Sequence, residues 1–131
     1  MRPIAHTLKR FMGLFSFGKK HQAAWNALMA SYTFLSLDAA RQHLVLARAR
    51  DIVNSQMNRT LDNVREQNGP IVFLNILVYA LGEEGIQPAL GNEKWFWIKN
   101  PFVECIGANE VIEAQRAQLE RKYNVRFNME F

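Results

Sequence analysis

Apolar residues fill nearly every position of one stretch, Ile71 to Leu81 (IVFLNILVYAL), and of no other. Asn75 is its single clearly polar member. Pro70 stands before the run and Gly82 after it, the order that suits a helix start and stop. A run that is apolar all round must be covered all round. It is too short to cross a bilayer, which needs about 20 residues. The pattern predicts a central buried helix. A buried strand is the alternative, because short apolar runs are ambiguous by period.

Upstream, Ala24, Trp25, Leu28, Tyr32 and Leu35 fall at one-face helical spacing and predict a helix from His21 to Phe34. Ser36 can cap a second helix from Leu37 to about Asn58, with Leu44, Val45, Ile52 and Val53 on its buried side. Thr60 can cap a further turn or two around Leu61 and Val64. Alternatively the second helix continues to Glu66. Arg41, Arg48 and Arg59 then share one line, seven and eleven residues apart, both close to whole turns.

Downstream the pattern changes. Gly82 to Asn92 is rich in Gly and Pro and reads as a loop. Lys94 to Lys99 (KWFWIK) is aromatic and β-branched, as strands prefer. Asn100 and Pro101 signal a turn, with Phe102 to Ile106 as the return strand. Asn109 can cap a surface helix from Glu110 to about Lys122. The tail alternates: Val125, Phe127, Met129 and Phe131 on one side, Arg126, Asn128 and Glu130 on the other. That is the period of a half-buried strand. The expected fold is α+β, with about four N-terminal helices packed on a small C-terminal ββαβ sheet unit. Residues 1–17 form a separate basic segment ahead of one domain, 18–131. Its helical part is 18–82 and its ββαβ part 93–131.

Composition leaves this layout unchanged: 131 residues, 49% apolar and 21% charged, suit one globular domain. Charge adds an asymmetry. Residues 1–50 hold eight Lys or Arg and one acid, whereas residues 51–131 hold eight basic and eleven acidic residues. Ile4, Leu8, Phe11 and Phe15 share one helical face, and Arg2, His6, Lys9 and Arg10 lie mainly on the other. Such a basic amphipathic helix suits a membrane interface or an organellar targeting segment. It equally suits an arm docked on the core or on a partner, or an extension upstream of a start at Met12. It is a poor secretory signal, since Lys19 and Lys20 interrupt the approach to a cleavage site. The lone Cys105 cannot form an internal disulfide and reads as a small core hydrophobe. A reducing compartment or organelle interior is expected, not secretion.

Candidate chemistry is sparse. The three histidines, His6, His21 and His43, have no zinc-ligand spacing. No phosphate-binding glycine loop or nucleophile elbow is present. Glu83 and Glu84 are neighbours, which rarely converge on one substrate. No cofactor or metal is expected. The leading expectation is a non-catalytic interaction protein, an accessory or adaptor subunit of a larger assembly, peripheral to a membrane through residues 1–17. Its candidate contacts are Trp95, Trp97, Phe11, Phe15, Lys9 and Arg10, and its partner is a protein or a second copy. One alternative is nucleic-acid binding, with Arg41, Arg48 and Arg59 as phosphate contacts. The other is an enzyme with a site at the helix–sheet junction, for which a pocket at Asn75 would speak.

Overall fold

The computed structural model describes the backbone of residues 2–91, 98 and 100–129, and the side chains of residues 18–91, 98 and 100–129. The regular elements of these residues are all helices: α1 (Arg2–Leu35), α2 (Ala39–Met57), α3 (Leu61–Asn68), α4 (Pro70–Glu83), α5 (Pro101–Glu104) and α6 (Ala108–Tyr123). No strand occurs among the described residues, so the α+β expectation and its ββαβ sheet are wrong.

Two local causes explain the error. Asn100 and Pro101 start a helix instead of closing a hairpin. The Asn100 side chain accepts from the Val103 N–H at 3.5 Å, and Pro101 occupies the first helical position. The supposed return strand from Phe102 therefore begins as the short helix α5. The tail forms no regular element over 125–129, and its cover is a helix. Phe127 packs edge-on to Tyr32 with ring centroids 5.9 Å apart, and the Ser31 hydroxyl donates to the Asn128 carbonyl. Alternation reports one covered face; it does not say what covers it. The predicted strand Lys94–Lys99 lies outside the described residues, apart from Ile98, which is buried.

Helix α4 is the central helix. Every side chain from Ile71 to Val78 is buried, as are Ala80 and Leu81. Pro70 is at its start, and Gly69 before it takes φ +86, a left-handed value that favours glycine. Helices α1, α2, α3 and α5 all pack on α4.

Helix α1 is the second buried helix, and this was not legible. Ala23 through Ser31 are buried without interruption, because α1 lies between α4 and α6. Ala23, Ala27 and Ala30 add small faces that let neighbouring helices approach. Leu35, read as an inward position, is exposed.

Helix α1 also runs unbroken through Gly18, joining the predicted segment 1–17 to the predicted helix from His21. An interior glycine costs roughly 1 kcal/mol relative to alanine, too little to end a helix with good formers on both sides. Among the described residues, no atom outside the local helix backbone lies within 4 Å of the position a Gly18 Cβ would take. Gly18→Ala is expected to raise unfolding stability by about 0.5–1 kcal/mol, read as a higher denaturant midpoint.

The intermediate caps decide the arginine geometry. Asp38, not Ser36, caps α2, its carboxylate accepting from the Arg41 N–H at 2.8 Å. Ser36 instead donates to the Tyr32 carbonyl at 2.8 Å at the end of α1. Asn58 closes α2 in the left-handed conformation, φ 51, and Thr60 opens α3 by accepting from the Asn63 N–H at 3.1 Å. Helix α2 therefore does not continue to Glu66.

Candidate interaction surface

At about 1.5 Å per residue, the 34 residues of α1 span roughly 51 Å. Among its described side chains, burial begins at Ala23. The turn before that is tied to the far end of the fold. Lys19 Nζ lies 3.2 Å from Glu104 Oε1 at the end of α5. The Lys20 stem passes over Gly107, where a Cβ would meet its Cε at 2.7 Å. Gly107 adopts φ +79 and precedes α6, so bare backbone is needed at this corner.

Ahead of this corner the backbone register places Ile4, Leu8, Phe11 and Phe15 on one face of α1. Lys9 and Arg10 fall on the other side. The side chains of these contact candidates lie outside the described residues, and so do Trp95 and Trp97.

The three candidate phosphate contacts sit apart in their local settings. The break at Asn58 takes Arg59 off α2, so no single helix carries all three. Arg41 Nε is 4.0 Å from the Asp38 carboxylate. Arg48 Nε lies 3.4 Å from Glu83 and 3.3 Å from Glu84. Sequence distance hid this cluster: the two acids converge on an arginine of another helix. Arg59 donates to Asn63 Oδ1 at 3.0 and 2.8 Å and to Gln67 Oε1 at 3.0 Å. Its guanidinium also covers the Phe102 ring at 5.4 Å.

Two surface cavities open among the described residues, the first of them beside Arg41. One of about 400 Å³ runs between the α1–α2 turn and the loop after α4, lined by Thr33, Leu37, Arg41, Leu44, Glu84 and Ile86. Thr33 Oγ1 already accepts from the Ala89 N–H at 3.0 Å. Another, about 500 Å³, lies between α1 and α6 and is lined by His21, Gln22, Glu110, Gln115 and Gln118, with no Ser, Thr or Cys. Asn75 lines neither. Its amide donates to the Ala23 and Ile71 carbonyls at 3.0 and 2.8 Å, locking α4 to α1. Among the described residues no group of three or more His, Cys, Asp or Glu is placed to hold a metal ion. No described helix is long and apolar enough to cross a membrane.

Cys105 is buried, with Sγ 3.9 Å from the Ile71 carbonyl. Burial, and then the nearby Glu104 charge, push its thiol up to about 12. A thiol held neutral is a poor nucleophile. It also links stability to alkali. The folded value lies above the unfolded one, so this contribution is intact below the unfolded value of about 8.5 and is lost as pH rises toward 12. The native chain is expected to resist maleimide labelling at pH 8 until denatured. The Cys105→Ala variant is expected to lose stability less steeply above pH 9, read by urea unfolding.

No family model, curated protein or solved structure matches this chain.

Proposed function

We propose that this chain is a non-catalytic interaction protein, an accessory or adaptor component that contacts its partner through the first half of α1. One observation carries the reading. Helix α1 continues for several turns ahead of Ala23, its first buried described residue, on a sequence that is amphipathic and free of acids. A helix that only served the core would need no such extension. Helices α1 to α6 share one buried cluster, and Arg41, Arg48 and Arg59 have intramolecular partners. The test is affinity capture of the native protein with and without residues 1–17. A component that co-purifies with the full chain and is lost on truncation supports the proposal. The same component retained by the shortened chain overturns it.

A further inference from the structure

We infer that the partner of this helix is an anionic lipid surface, on which the first half of α1 lies flat. The inference rests on the contact role proposed above and names what is contacted.

Charge is the first argument. Five Lys or Arg precede the first acid, Asp38, and the remaining residues carry eleven basic and twelve acidic groups. The positive charge of the whole chain thus resides in α1. Three of the five, Arg2, Lys9 and Arg10, belong to the first half of this helix, while Lys19 is engaged by Glu104.

Facial separation is the second. At about 100° per residue, Ile4, Leu8, Phe11 and Phe15 fall within an arc of about 60°. Arg2, His6, Lys9 and Arg10 fall within about 100° on the opposite side. Bulky aliphatic and aromatic residues on one face and cations on the other describe a helix in the plane of a bilayer. With about 24 Å of backbone over residues 2–17, it does not span one.

A second copy of the chain fits less well. The four–three–four spacing ends at Phe15, since the next seam positions are Gly18 and Gln22. Two heptads fall short of the three or four that sustain a coiled coil. Nucleic acid would use the cations and leave the Phe face without a role. Because α1 continues into the core, the body must follow the orientation of the bound segment.

The test is flotation of the full chain with phosphatidylcholine vesicles, alone and mixed with phosphatidylglycerol. Three surface cations at about fivefold each predict about 100-fold tighter binding to the anionic vesicles, weakening with salt. Phe11→Glu with Phe15→Glu should abolish flotation without moving the thermal midpoint. Lys9→Glu with Arg10→Glu should erase the anionic preference. No flotation with anionic vesicles at low salt overturns the inference. So does a dimer in sedimentation that the Phe variant dissolves, or duplex DNA displacing the vesicles. If vesicles fail while truncation of residues 1–17 still releases a co-purifying protein, the lipid inference falls and the contact role of α1 stands. If neither is seen, both fall.

Discussion

Replacing Asn75 with aspartate is expected to cost about 3–5 kcal/mol at neutral pH, a large share of the net stability of a protein of this size. Asn75 is 1% exposed at the crossing of α4 and α1. Its amide nitrogen donates to the Ala23 and Ile71 carbonyls, at 3.0 and 2.8 Å. A carboxylate has no proton to give either oxygen, so once ionised it would sit unpaired against two acceptors. The Asn75→Asp variant therefore holds its new carboxyl protonated in the folded state and ionised in the unfolded state. That raises the folded value above the unfolded one of about 3.9. The stability of the variant is greatest below about pH 4 and falls as pH rises, until the buried carboxyl itself ionises. Urea unfolding at pH 4 and pH 7 reads this directly. The deficit against the natural chain should be larger at pH 7; equal deficits would mean that the site is wet.

Trp25→Ala should cost about 3–5 kcal/mol by a different route. Trp25 is 2% exposed and meets the Tyr123 ring edge-on, with centroids 6.5 Å apart. Removing the indole leaves a cavity between α1 and α6 that rigid helices cannot close. Leu44→Ala serves as the control. Leu44 is 56% exposed on α2, so its loss should stay within about 0.5 kcal/mol. A fall as small for Trp25 as for Leu44 would mean that α6 does not dock on α1.

The helices were largely legible where local chemistry set them. Pro70 and the apolar run defined α4, and Thr60 defined α3. Cys105 is the buried thiol its surroundings suggested. The burial of α1 was hidden because alanine carries little periodic signal, and Ala23, Ala27 and Ala30 make up much of its other faces. Asn26, Ser31 and Thr33 are polar and yet buried. Ser31 and Thr33 have partners, the Asn128 carbonyl and the Ala89 N–H, that are far away in sequence. The sheet failed for the converse reason. The alternation of the tail is real, but its covered face lies on Tyr32 of a helix. In the candidate surface, the shared face of Phe11 and Phe15 follows from spacing alone. The pairing of Arg48 with Glu83 and Glu84 joins two helices and needed the fold.

Helix α1 lies in the core from Ala23 to Phe34, and the proposed role divides the helix by making its first half a contact surface. The most direct measurement is the thermal unfolding midpoint of the full chain carrying Ile4→Ser, Leu8→Ser, Phe11→Ser and Phe15→Ser together. A midpoint within about 4 °C of the natural chain is expected, since four exposed substitutions of a few tenths of a kcal/mol each sum to about 1 kcal/mol. A fall of about 10 °C or more would place that face in the core and contradict the claim.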